Sequence, residues 1–159
     1  MEPQLLDPES FPYDLYAQVR AERERRLDEW ARGLHPREVP VLITPSWDMW
    51  NNNTCADGER MLRANLWGMA ESARWASDWV FPHLEPWYGV GIYATAFGAR
   101  YYWDGDSAPQ THPIYAGLDE LASLPPFDLQ SEPMQEVLRR IRRYREATHD
   151  QLPICLTDT

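Results

Sequence analysis

The sequence contains no lysine: all 15 of its Lys/Arg residues are arginine. That excludes a Schiff-base lysine and a phosphate-loop lysine within this stretch. It has only two cysteines, Cys55 and Cys155, far apart in the chain. Such a pair makes neither a disulfide framework nor a Cys-x-x-Cys motif, and reads as reduced thiols in a cytoplasmic protein. No apolar run approaches the ~18 residues of a membrane span. The start, MEPQLLDPES, lacks the basic and apolar parts of a signal peptide. The four histidines, His35, His83, His112 and His149, fall into no zinc-binding spacing. Gly89-Val90-Gly91 lacks the third glycine of a dinucleotide fingerprint, and no Gly-x-Ser-x-Gly elbow occurs. Positive charge is scarce overall: 25 acids leave a net charge of −10. That argues against a general nucleic-acid or anionic-membrane binder. A small-molecule substrate is the expected partner, with no metal or cofactor held by this stretch alone.

What is plentiful is aromatic. The chain has eight Trp, eight Tyr and four Phe, and 43% of its residues are hydrophobic. This composition belongs to a folded domain. Residues 1–11 read as a loose arm and 12–33 as a helix carrying Leu15, Tyr16, Val19, Leu27 and Trp30, with Gly33 as its stop. Pro40–Pro45 (PVLITP) reads as a strand, and Ser46–Cys55 (SWDMWNNNTC) as a loop without period. Asp57 is placed to cap a second helix over 57–76, with Leu62, Leu66, Met69, Ala70 and Ala73 on one face. Ile92–Phe97 reads equally as a short helix or strand, and Thr111–Tyr115 as a short strand. Ser131 is placed to cap a last helix over 132–147. Its expected buried stripe is Met134, Val137, Leu138, Ile141 and Tyr144, with Arg139, Arg140, Arg142, Arg143 and Arg145 outward.

The chain closes on LPICLTDT, where four apolar residues fall within Leu152–Leu156. A helix followed by such a run is the αβ step of an α/β protein with a parallel, buried strand. A buried terminal strand needs neighbours that this sequence scarcely supplies. The expectation is therefore α/β: the N-terminal part of a (β/α)₈ TIM-type barrel, incomplete, with a helical extension at 1–37 and the barrel portion at 38–159.

Two constellations are suited to chemistry. Asp78–Tyr88 places Asp78, His83 and Glu85 among Trp79, Phe81, Trp87 and Tyr88. A carboxylic acid in apolar surroundings has a raised pKa that suits proton transfer. The structural alternative is that the aromatics are core and the acids face water. Asp158, in Thr157-Asp158-Thr159, would lie at the C-terminal end of a barrel strand, the face where such barrels carry their sites. On this reading Asp78 and Asp158 are catalytic, and His83, Glu85, Trp87 and Tyr88 line the substrate. The two segments are expected to converge, although about 70 residues separate them.

The stretch SDWVFPHLEPWYGVGIYATAFGARYYW and the ending YREATHDQLPICLTDT resemble members of the uroporphyrinogen decarboxylase superfamily. The resemblance spans roughly residues 38–159. It implies the (β/α)₈ barrel with an N-terminal extension. It also implies decarboxylation of a carboxylated tetrapyrrole or related chemistry, or methyl transfer in the corrinoid-dependent branch. In that branch zinc ligands and a corrinoid partner would involve residues outside this stretch. In one register Ser77-Asp78 matches the Ser-Asp context of the family's essential aspartate; in another, anchored on ATAFG, Gly89 falls there instead. The Arg-Gln-Ala-Gly-Arg type segment that grips substrate carboxylates has no counterpart: after PVLITP the chain reads SWDMWNNN. A reading from another class is a non-catalytic interaction module presenting the aromatics of 46–50 and 79–88.

Overall fold

A computed structural model describes residues 4–34, 37, 39, 41, 52–75, 83–105 and 107–155. The described elements are five helices, α1 (Tyr13–Ala31), α2 (Asn52–Ala56), α3 (Gly58–Ser72), α4 (Ile92–Ala96) and α5 (Glu132–Ala147), and two short strands, β1 (Tyr101–Tyr102) and β2 (Gln110–Thr111). Turns of 3₁₀ helix occupy Pro8–Ser10 and Leu118–Ser123.

α3 is the central element. Asp57 accepts hydrogen bonds from the Glu59 and Arg60 N–H groups, both at 3.0 Å, and so satisfies donors that the first turn leaves open. Leu62, Leu66, Met69, Ala70 and Ala73 are all buried, as their spacing predicts. Of these, Leu62, Leu66, Met69 and Ala70 share one core cluster with Phe11 and Tyr16 and with Leu84, Trp87, Tyr144 and Leu152. Such an interior contributes roughly 25 cal/mol for each Å² of apolar surface removed from water.

α1 ends as expected. Gly33 takes a φ of 75°, its N–H bonds the Trp30 carbonyl, and the Leu34 N–H reaches back to Glu29. These paired bonds satisfy the last carbonyls, and the left-handed backbone suits glycine. Leu15 and Trp30, however, are exposed, and the deeply buried side chains of α1 are Tyr16 and Arg23. Ser131 does stand at the N-cap position of α5, but its hydroxyl makes no capping bond.

The barrel expectation is overturned. The only described sheet is the antiparallel pair β1–β2, with Tyr101 opposite Thr111. Among the described residues no alternation of parallel strands and helices occurs. Thr111–Tyr115 contributes strand only at Thr111, and Ile92–Phe97 resolves into helix. Leu152–Leu156 contributes a single parallel bridge, Ile154 with Leu84. The physical reason is local. Pro86 and Pro153 withhold backbone donors beside that bridge, so a longer ladder cannot grow from it. The proposed strand in PVLITP lies, but for Val41, outside the described residues. Among the described residues no helix is long and apolar enough to cross a membrane.

Candidate functional site

Residues 84–89 run through the interior without regular structure. Leu84, Pro86 and Trp87 are buried there, although an irregular segment brings unpaired backbone groups with it. Its polar groups are met one at a time. The Leu84 N–H donates to the Pro153 carbonyl at 2.8 Å, and the Leu84 carbonyl accepts from the Cys155 N–H at 3.0 Å. Asn65 of α3 then imitates a strand. Its Oδ1 accepts from the Glu85 N–H at 2.9 Å, and its Nδ2 donates to the Glu85 carbonyl at 3.3 Å and to the Met61 carbonyl at 2.8 Å.

Arg140 of α5 holds the next stretch. It is 3% exposed. Its Nη1 donates to the Trp87 carbonyl at 3.1 Å, its Nη2 to the Cys55 carbonyl at 2.7 Å, and its Nε to Glu136 at 2.7 Å. The guanidinium also lies over the Tyr88 ring, 4.6 Å from its centroid. A planar fork with five donors is suited to joining three acceptors in this way. The Cβ of a residue replacing Gly58 would come within 3.3 Å of the Arg140 Nε, so the glycine leaves room for the guanidinium.

Beyond Trp87 an aromatic cluster continues. Tyr88, Tyr101 and Trp103 have ring centroids 5.7–6.5 Å apart. The Tyr101 hydroxyl donates to the Gly89 carbonyl at 3.2 Å. Gly89 has a φ of 92°, and a Cβ there would meet Pro109 at 2.7 Å, so both conformation and space require glycine. Burial raises the phenol pKa of Tyr88 and of Tyr101. Burial likewise pushes the Cys55 thiol up to about 12, against the pull of the neighbouring Arg140. The Cys55 thiol faces the Trp87 carbonyl at 3.8 Å. It is a neutral, unreactive group rather than a nucleophile. The spread of Arg140 bonds borders a cavity of about 380 Å³ lined by Asp57, Gly58, Glu59, Glu136 and Arg143.

The expected site residues separate. Trp87 is 3% exposed and belongs to the core, and Tyr88 stands half-buried beneath Arg140. Glu85 is anchored through its backbone with a half-buried side chain, while His83 is exposed. Asp78 and Asp158 lie outside the described residues. Residues 157–159, expected to converge with 78–88, lie outside the described residues; Leu84, within 78–88, forms its bridge with Ile154. Among the described residues no group of three or more His, Cys, Asp or Glu is arranged to hold a metal ion. Sequence reasoning missed Asn65 and Arg140. Each carried a signal: a polar residue standing inside the apolar stripe of its helix, between Leu62 and Leu66 for one and between Val137 and Tyr144 for the other.

Comparison with family models, with curated proteins and with solved structures finds no match to this chain.

Proposed function

We propose that the chain forms part of a uroporphyrinogen-decarboxylase-like enzyme acting on a carboxylated tetrapyrrole or a related small carboxylate. One observation supports this reading above the others. The two segments that carry the resemblance, far apart in sequence, meet as neighbours where Leu84 pairs with Ile154. Asp78 stands six residues before Leu84 and Asp158 four after Ile154. In this reading those two acids handle the proton that replaces the departing carbon dioxide. Glu85 and His83 orient the substrate, and Tyr88 offers an aromatic face. A carboxylic acid serves such a step when its surroundings hold its pKa near the working pH. The corrinoid-dependent branch of the same superfamily would instead transfer a methyl group, with zinc ligands outside this stretch.

The test is direct. Uroporphyrinogen incubated anaerobically with the full chain should lose carbon dioxide stepwise, seen as successive mass losses by chromatography and mass spectrometry. Uroporphyrin, the oxidised and coloured form of this substrate, should quench tryptophan fluorescence, since Trp87 and Trp103 sit in or beside the proposed site. Asp78→Asn and Asp158→Asn should abolish turnover and leave quenching in place. Absence of both quenching and turnover would remove this reading. Methyl transfer from a methylated corrinoid, dependent on added zinc, would select the other branch.

A further inference from the structure

Among the described residues, one stretch combines several exposed apolar side chains with acids that make no ion pair. Between Arg100 and Arg139 the sequence has seven acids and no arginine. Here Ile114, Leu121, Leu124, Phe127 and Leu129 are each between 39% and 56% exposed, and Leu118 is 83% exposed. These side chains are gathered rather than scattered. The Phe97 and Phe127 rings meet edge-on at 5.2 Å, and Tyr93 joins Phe127 at 6.1 Å. Phe97, Ile114 and Leu124 line a groove of about 410 Å³ beside α4. The Asp128 N–H donates to the Ala96 carbonyl at 2.9 Å and fixes the segment against that helix. A contiguous apolar surface of this kind marks an interaction site on a soluble domain.

The acids around the groove differ from those elsewhere. On α1 and α5 the carboxylates of Glu22, Glu24, Asp28, Glu132 and Glu136 are engaged by arginines. Asp119, Glu120 and Asp128 have no ion pair among the described residues. Glu120 and Asp128 accept only the backbone N–H groups of Ala116 and Gln130. The groove is lined by Phe97, Ile114 and Leu124, and the segment that supplies Ile114 and Leu124 also carries these three acids, with the Asp128 backbone tied to Ala96 beside the groove. We propose that this face docks a basic amphipathic helix of a partner protein. The helix would seat its apolar side chains against Phe97, Ile114, Leu124 and Phe127, and its Arg or Lys side chains beside Asp119, Glu120 and Asp128. A second copy of this chain is a poor occupant. Its own basic helix, α5, already spends Arg139, Arg143 and Arg145 on Glu132, Glu59 and Asp150, and two copies of net charge −10 repel. The proposal does not depend on the catalytic reading.

The test titrates the full chain into two fluorescent helical peptides of about 18 residues, roughly five turns. One carries Leu on one face and Arg on the other; its counterpart has Glu for every Arg. The Arg peptide should bind at least ~10-fold more tightly than the Glu peptide, and should weaken as salt screens the rim charges. Ile114→Ser with Leu118→Ser changes exposed positions that the fold does not need, and should weaken binding ~10-fold. Asp119→Asn, Glu120→Gln and Asp128→Asn together should erase the preference for Arg. Equal binding of both peptides overturns the proposal, as does a preference that survives the triple neutral variant. Sedimentation showing a dimer that Leu118→Ser dissociates also overturns it, because a second copy would then be the occupant.

Discussion

Residues 84–89 and 112–130 are alike as sequence and opposite as structure. Both are rich in proline and large apolar side chains, and neither has a helical or strand period. Yet Leu84 is fully buried and Trp87 nearly so, while Leu118 is 83% exposed. The difference lies in what neighbouring elements offer the backbone. Asn65 and Arg140 reach into the first segment from two helices and meet the Glu85 and Trp87 backbone groups. In the second segment, bonds such as Glu120 N–H to the Gly117 carbonyl and Leu124 N–H to the Leu121 carbonyl stay within the segment, and water can meet the rest. An irregular apolar stretch is buried where side chains replace the missing ladder, because an unmade buried hydrogen bond costs more than apolar burial of one residue returns.

The sharpest way to break the contrast is Arg140→Ala. It removes the fork from two buried carbonyls and from Glu136 at once. Deleting one member of a buried charged cluster costs about 3–5 kcal/mol. Denaturant unfolding should show a loss in that range. Arg140→Lys should recover little of it, since a point charge cannot address three acceptors in a plane. A loss under about 1 kcal/mol would mean that the segment is held by apolar contacts alone.

Asn65→Ala is the next test. It strands the Glu85 N–H and carbonyl in a half-buried setting and should cost about 1–3 kcal/mol. Amide exchange at Glu85 should quicken by more than exchange elsewhere in the core. Leu118→Ser, on the exposed segment, should stay within about 0.5 kcal/mol. Equal costs for the two substitutions would dissolve the comparison.

Much of the helical layer was legible beforehand, because local rules govern it. Asp57 and Gly33 bound their helices as cap and stop, and the stripe from Leu62 to Ala73 is buried as spaced. α5 was read less well. Leu138 is exposed and Arg140 buried, the reverse of the hydrophobicity of the two residues. Position 140 lies three residues after Val137 and four before Tyr144, so it shares their face, and Leu138 does not. The expected stripe took in Leu138 and left position 140 outward, because the rule that arginines face water was set above the spacing. The barrel failed for a different reason. An apolar run between turn signals looks the same whether it joins a sheet or makes one bridge, and nothing local in LPICL reports how many partners it will find. For the site, the expected convergence joined 78–88 to 157–159, and the latter lies outside the described residues; the structure shows Leu84 meeting Ile154. The side chains that join those neighbourhoods to the helices were not anticipated, since Asn65 and Arg140 act across long separations in sequence.

The smallest effect is invisible at neutral pH. Cys55 is fully buried beside the clamp, and its thiol is pushed from an ordinary 9.0 up to about 12, chiefly by burial. A group whose folded pKa is raised contributes stability fully present below its unfolded pKa and lost as pH rises through the folded value. For Cys55 the window therefore opens near pH 9 and closes near 12. The buried phenols begin later: Tyr16, raised to about 12 by burial, departs from an ordinary 10.0. Between about pH 9 and 10 the thiol contributes about 1 kcal/mol, and the phenols that burial raises, those of Tyr13, Tyr16, Tyr88, Tyr101 and Tyr144, each add a smaller share. In a Cys155→Ala background, adding Cys55→Ala should make the fall in unfolding free energy between these two pH values smaller by about 1 kcal/mol. The loss above pH 10 should remain. At pH 7 iodoacetamide should leave Cys55 unmodified in the folded chain and react with it in denaturant. Rapid labelling of the native thiol would show that residues 84–89 open readily, and the clamp would then be no tighter than the exposed stretch beside it.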